Sequence, residues 1–525
     1  MSTVVDLDSR RRPTIEVSVD IHRMVDQAID ALAHDPDIYQ RDGELVRIVR
    51  IAESEADAAN LIGAPQIRRL VPATLVEHLT RSAKFVRLDA RRRAPMDAVP
   101  PSSVVHAVAA RGEYQGIRPI VGIAEAPMLR PDGSIMQDAG YDGATGYVYF
   151  PSIEFPRVSD RPSQQDARDA LEQLSEVFFD FPYRAEADRV VPIAAVLTLL
   201  ARPAIRGSVA AVVLDATTRG SGKTLQADAI ALIATGRPAG KMTWPGDDAE
   251  LEKVLASYAL RGATLILFDN VTSRFGGGPL DKVLTARDRV ELRVLGKSEL
   301  PTLTWRAVVF ASGNNIEIAG DTCRRVLVSR LETEVETPEA RTGFRHDPLL
   351  EWVAQERPRL VCAALTILRA WVVAGRPRLT PRQWGSYEEW AGLVPQALIF
   401  AGATDPMGAK LQELADDPDR RDRAAIIAGV ARLAPNGITV RGLVTVLYPS
   451  DRRQDGPPDG FDDLREALES MTRSKPGQVP SMHAIGNALR KHRGAVTGGR
   501  KLISEDGPGH VAVWRVVDLA IGGEP

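Results

Sequence analysis

Between residues 185 and 377, short apolar runs alternate with segments of helical length, and no other feature constrains the fold as tightly. The runs AAVVLDA (Ala210–Ala216), TLILFD (Thr264–Asp269) and WRAVVFASG (Trp305–Gly313) have the length and the Val, Ile and Phe content of buried strands. Between the first two lie LQADAIALIATG (Leu225–Gly236) and DAELEKVLASYAL (Asp248–Leu260), which read as helices. Strands alternating with helices build βαβ units and a mainly parallel sheet, so the expected fold class is α/β.

A chain of 525 residues exceeds what one hydrophobic core serves. The expected organisation is a flexible N-terminus over 1–20, an α+β domain over 21–165, the α/β domain over 185–377, a helical connector over 378–420 and a further domain over 421–525. In the second of these, IHRMVDQAIDALA has helical spacing and ELVRIVRIAE alternates like a strand. Asp166–Tyr183 reads as an amphipathic helix leading into the α/β domain, and Ser450–Asp463 as a polar loop.

Composition excludes more than it assigns. The formal net charge of −3 gives no overall attraction to nucleic acid or membrane, so any such contact must be local. Lysine is scarce, 10 of the 66 basic residues, which makes each lysine more informative. The two cysteines, Cys323 and Cys362, cannot build a zinc ribbon or a disulfide framework. The most apolar stretches, Val190–Ala201 and Leu360–Gly375, are too short or too interrupted by charge to span a bilayer. The expectation is a cytoplasmic protein with no membrane partner.

The segment DATTRGSGKT (Asp215–Thr224) follows the first apolar run and precedes a helix. That is where a phosphate-binding loop sits: small residues let backbone N–H groups curl round phosphates at a helix N-terminus. Gly220, Ser221, Gly222, Lys223, Thr224 and Leu225 are the candidate contacts. Lys223 would reach the β/γ-phosphates of ATP, and Thr224 would ligate Mg²⁺. The usual pattern has a glycine where this chain has Thr217, and a surface turn carrying one lysine reads the same way in isolation.

TLILFDN supplies a second element, an apolar run ending in Asp269 with the form of a Walker B strand, and Asp269 is the second metal candidate. Asn270 stands where many ATPases carry a glutamate that activates water. The third element, WRAVVFASGNN, ends in amides suited to a sensor of the γ-phosphate, with Asn314 favoured and Asn315 the alternative. GDTCRR then offers Arg324 and Arg325, either of which would serve as an arginine finger toward a neighbouring subunit. Two signals suggest nucleic acid. VELRVLG and LPTLTW read as a hairpin with Lys297 at its tip, and SMHAIGNALRKHRG followed by AVTGGRKLISE and HVAVWRVV reads as a winged helix. Its basic candidates are Arg490, Lys491, Arg493, Arg500 and Lys501.

The chain resembles the helicase-like ATPases of phages and integrated mobile elements, related to superfamily 3 helicases and often fused to a primase. The resemblance rests on DPDIYQRDGELVRIV, PMLRPDGSIMQDAGYDGATGYVYFPS, DATTRGSGKT, TLILFDN, ELRVLGKSE, SGNN with GDTCRR, GSYEEW, AGATDP and the winged tail. It implies a P-loop NTPase (AAA+-like) core between an α+β N-terminal domain and a C-terminal winged-helix domain. It also implies ATP and Mg²⁺ as cofactors, a hexameric ring around DNA and a helicase or replication-initiator activity. No primase motif is present, so a separate primase is the implied partner. Two readings of other classes stay open: an AAA+-like protein remodeller or defence ATPase that uses the wing for partner recognition, and a DNA-binding regulator with a decayed ATP site.

Overall fold

In a computed structural model, the described residues are 12–52, 62–89, 94–294, 300–335, 337–381, 384–409, 418–449, 459–472, 474, 478–507 and 511–519. They form two compact units, Met1–Lys410 and Leu411–Pro525. Among the described residues, no helix is long and apolar enough to cross a membrane.

The first unit is organised by five parallel strands: β1 (Ala211–Ala216), β2 (Lys241–Thr243), β3 (Leu265–Val271), β4 (Val308–Asn314) and β5 (Val326–Leu331). Their order is β2-β3-β4-β1-β5. The strands read as continuous apolar runs because both faces of the sheet are covered. Val212, Leu214, Phe310 and Leu327 point into one core. It is shared with α1 (Glu186–Leu200), α2 (Lys223–Thr235) and α4 (Leu349–Val373). Val213, Phe268, Val309 and Val328 point into the other, covered by α3 (Asp248–Arg261). Helix α1 is buried almost all round, which is why its sequence lacks a polar face. The chain runs from β1 across to β2 on one side, and later from β4 over β1 to β5 on the other. The carboxyl end of β1 is therefore a topological switch point, where open α/β sheets bind ligands.

Several expectations need correction. Residues 12–20 are not a loose lead-in: Thr14–Glu16 pairs in parallel with Lys84–Val86, and Ile15 is buried. The helix expected over 166–183 runs Gln164–Glu176, started by a reciprocal Ser163–Asp166 cap, and the aromatic residues after it pack in an irregular segment. The 378–409 stretch is part of the core rather than a connector. Trp390 is buried there and donates to Thr198 Oγ1 (2.8 Å), and Tyr387 OH donates to Leu284 O (2.9 Å).

Among the described residues, the strands before β4 are shorter than VELRVLG and LPTLTW suggested, pairing antiparallel over Arg289–Glu291 and Thr302–Thr304. Lys297 lies outside the described residues. The root of this pair is held by the N-terminal region. Asp42 accepts the backbone N–H (3.1 Å) and the hydroxyl (2.7 Å) of Thr304, and Arg289 (3.2 Å). Arg41, buried beside it, donates to Ala259 O and Thr304 O (both 3.1 Å).

The second unit packs helices Pro418–Leu433, Val440–Leu447, Asp462–Thr472 and Met482–Lys491 against a four-stranded antiparallel sheet. Its core includes Val430, Leu443, Leu468, Leu489, Leu502 and Trp514. The polar loop expected over 450–463 gives way to helix by Asp462, and residues 450–458 lie outside the described residues. AVTGGRKLISE forms two strands. Gly498 and Gly499, both at positive φ, fold Val496–Thr497 back onto Arg500–Lys501.

Candidate functional site

The loop 217–222 leaves the buried β1 and enters α2 at the switch point. Its left-handed positions are Gly220 (φ +75°) and Gly222 (φ +96°). A Cβ at Gly222 would lie 2.8 Å from the Phe181 ring. Thr217 keeps an ordinary negative φ, and its N–H donates to Leu331 O (3.3 Å), extending the β1–β5 ladder by one residue. A glycine is therefore not needed there, because the turns that demand one fall later in the loop. Ser221 Oγ donates to Thr218 O (2.6 Å) and closes the loop on itself. Lys223, Thr224 and the partly exposed Leu225 open α2, whose first-turn N–H groups make an anion-favouring end.

Two neighbouring strand ends, those of β3 and β4, deliver polar side chains to this loop. Lys223 Nζ donates to Asn314 Oδ1 at the end of β4 (2.7 Å). Thr224 Oγ1 donates to Asp269 Oδ1 of β3 (2.9 Å), and Ser312 Oγ donates to the same oxygen (2.5 Å). Asn270 N–H in turn donates to Ser312 Oγ (3.3 Å). The β3–β4 register shifts between Phe268 and Val271, so Asp269 and Asn270 leave the ladder. A bulge of this kind re-aims side chains, and Asn270 takes a left-handed φ of +54°. Burial pulls the Lys223 pKa below the ordinary lysine value, opposed by the nearby Asp215 and Asp269 carboxylates.

The members of each candidate pair differ in their surroundings. Asn314 turns toward Lys223, whereas the Asn315 amide oxygen accepts from Arg330 (3.0 Å). Gly313, just before Asn314, allows β4 to approach β3, since a Cβ there would lie 2.6 Å from Val271 O. Arg325 is 11% exposed and bridges Asp281 (2.8 Å) and Asp321 (2.7 Å). Arg324 is 65% exposed and pairs at the surface with Asp321 (2.9 Å).

Three residues escaped the sequence reading: Ser312, Asp215 and Arg330. Strand alternation that puts Asn314 on the loop side puts Ser312 there too, so that one was detectable. Arg330 had little local signal, because Asp215 and Asn315 come from distant segments and only Glu332 (3.4 Å) is near it in sequence among its described partners.

The basic candidates of the second unit lie on one helix end and one strand. Arg490, Lys491 and Arg493 are exposed at and just beyond the end of Met482–Lys491, with Arg490 donating to Asn487 Oδ1 (2.7 Å). Arg500 is exposed and pairs with Asp518 (3.0 Å), and Lys501 beside it is half-buried.

No protein-family model and no curated protein matches the chain. Among solved structures, it is similar to the apo A form of the NrS-1 C-terminal region at 10% identity, covering 86% of this chain and 100% of that one, with a TM-score of 0.39. It is also similar to SCCmec type IV Cch, described as an active helicase, at 11% identity, covering 92% of this chain and 97% of that one, with a TM-score of 0.36. At such scores the superpositions are too loose to transfer a residue's role.

Proposed function

We propose that the protein is an ATP-dependent DNA helicase or replication initiator of a phage or integrated mobile element, working as a hexameric ring. One observation carries this reading: Lys223, Thr224, Asp269 and Asn314 meet at the carboxyl ends of three adjacent parallel strands, beside a loop with glycines at its left-handed positions. The residues present fit a nucleotide with its metal. A lysine, a hydroxyl and a carboxylate converge on a helix N-terminus, and the lysine and hydroxyl are already held by the amide and the acid. When bound, Mg²⁺-ATP supplies the phosphoanhydride to be cleaved and the metal charge that offsets its negative oxygens.

The chain's own groups divide the remaining work. Gly220, Ser221, Gly222 and Leu225 line the approach to the phosphates, and Lys223 binds them. Thr224 and Asp269 hold the metal, and Ser312 keeps the Asp269 carboxylate oriented. Asn314 orients the attacking water through its amide. Asn270 cannot accept a proton as a glutamate would, so it orients rather than deprotonates. Arg324 is the finger offered to a neighbouring subunit, since its side chain is largely exposed whereas that of Arg325 is mostly covered.

The domain division follows the same reading: an α+β N-terminal domain, a P-loop core and a C-terminal winged helix. In the last, Arg490, Lys491, Arg493, Arg500 and Lys501 contact DNA backbone. Lys297, which falls in sequence between Arg289–Glu291 and Thr302–Thr304, is a further backbone contact in this reading.

The test is ATP hydrolysis measured with and without single-stranded DNA, together with strand separation on a forked duplex. DNA-stimulated hydrolysis with unwinding is expected. Hydrolysis indifferent to DNA, without unwinding, would favour a protein remodeller.

A further inference from the structure

A second polar network lies beside the sensor amide, at the adjoining ends of β1 and β5. Arg330, near the end of β5, places Nη1 3.2 Å from Asp215 Oδ2, and its Nη2 donates to Asn315 Oδ1 (3.0 Å). Asp215 Oδ1 accepts the N–H of Ile316 (3.1 Å), and the N–H of Asn315 donates to Ala216 O (3.0 Å). The two residues that follow Asn314 are thus tied to β1 and β5, while Asn314 itself faces Lys223.

The root of Arg330 is equally fixed. Its backbone N–H donates to the buried Asp188 (3.0 Å), and its carbonyl accepts from Arg184 N–H (3.0 Å). Asn315 is held at φ +49°, in the left-handed region that few non-glycine residues adopt and that asparagine tolerates best. Asp215 is buried, and burial pushes its pKa above the ordinary carboxylate value against the Ile316 N–H and Arg330. Buried ion pairs add little net stability, so the value of this one lies in the geometry it imposes.

We infer that Arg330 is a positioning residue for hydrolysis. Together with Asp215 it fixes the Asn315–Ile316 turn, and the turn holds the Asn314 amide at bonding distance from Lys223. The inference rests on the ATP-hydrolase reading above. Arginine suits the task because its planar fork presents separate nitrogens to two acceptors, which a lysine cannot do.

Three variants test it: Arg330→Met, Arg330→Lys and Asn315→Gly. The last removes the amide that Arg330 holds while keeping a residue at ease with positive φ. Each is compared with the unaltered protein for kcat, the KM for ATP and the melting temperature. Loss of a group that orients a catalytic side chain typically costs about 10- to 100-fold in activity. Arg330→Met and Asn315→Gly are expected to lower kcat by about that factor with the KM for ATP within about twofold.

Arg330→Lys should recover only part of the loss. Adding Arg330→Met to Asn314→Ala should cost nothing further, because the two act through one amide. If Arg330→Met does not fold, Asn315→Gly decides alone. Wild-type kcat in a folded Asn315→Gly protein overturns the inference, as does a full additional loss in the Asn314→Ala background. Absence of hydrolysis in the unaltered protein overturns the ATP-hydrolase reading itself, a distinct outcome.

Discussion

Ser312→Ala is a small change with a large expected consequence. The side chain is 1% exposed, and its hydroxyl donates to Asp269 Oδ1 at 2.5 Å while accepting from Asn270 N–H at 3.3 Å. The substitution removes one oxygen, so packing between β3 and β4 is nearly unchanged. What is lost is a hydrogen bond to a charged group, worth about 1.5–3 kcal/mol, and the partner of a backbone N–H. At about 1.4 kcal/mol per decade, loss of that orientation lowers kcat by about 10- to 100-fold. Because Asp269 also accepts from Thr224, the metal candidates lose their common anchor, and the Mg²⁺ concentration for half-maximal hydrolysis should rise. Steady-state hydrolysis across a Mg²⁺ titration, with a melting curve as the folding control, measures both effects. A folded variant with unchanged kcat and unchanged Mg²⁺ dependence would refute the role assigned to Ser312.

Gly222→Ala should abolish nucleotide binding, since the new Cβ meets Phe181 at 2.8 Å and φ is +96°. Thr217→Gly should leave affinity within about twofold, because residue 217 needs no glycine; equilibrium binding of a fluorescent ATP analogue checks both. Arg324→Ala should keep the melting temperature and lose hydrolysis in assembled protein, whereas Arg325→Ala, which breaks bonds to Asp281 and Asp321, should lose about 1–3 kcal/mol of stability, as read by urea denaturation. Asp35 and His78 form a buried pair at 2.9 Å. Burial works against the Asp35 charge, but bonds from His78 and the Asp37 N–H outweigh it and hold its pKa below the ordinary value. Its stabilising effect is therefore present above the ordinary carboxylate pKa of about 3.9 and lost as pH falls through the lowered one. Asp35→Asn should lower the urea midpoint at pH 7, and the gap to the unaltered protein should close below about pH 4.

The α/β core was legible because strands buried on both faces leave an unmistakable run of apolar residues, as in β1, β3 and β4. The placing of the 217–222 loop was legible for the same reason, since it lies between one such strand and a helix. The order β2-β3-β4-β1-β5 was not legible, because strand order is decided by contacts between segments far apart in sequence. Arg330 was hidden likewise, since its partners sit on β1 and after β4. The segment over 384–409 misled because its Pro, Gly and Trp content resembles a joint, whereas Trp384 and Trp390 use their bulk to fill the core. Tertiary burial overrode local texture. At the glycine position of the loop the reverse held: Thr217 looked like damage only because a pattern was expected, and the backbone angles remove the difficulty.

The most direct measurement is ATP hydrolysis by the purified full chain in Mg²⁺, compared with Lys223→Ala. The account predicts DNA-stimulated hydrolysis in the unaltered protein and its loss in the variant, with folding intact. Hydrolysis at equal rates in both, or in neither with or without DNA, would contradict it.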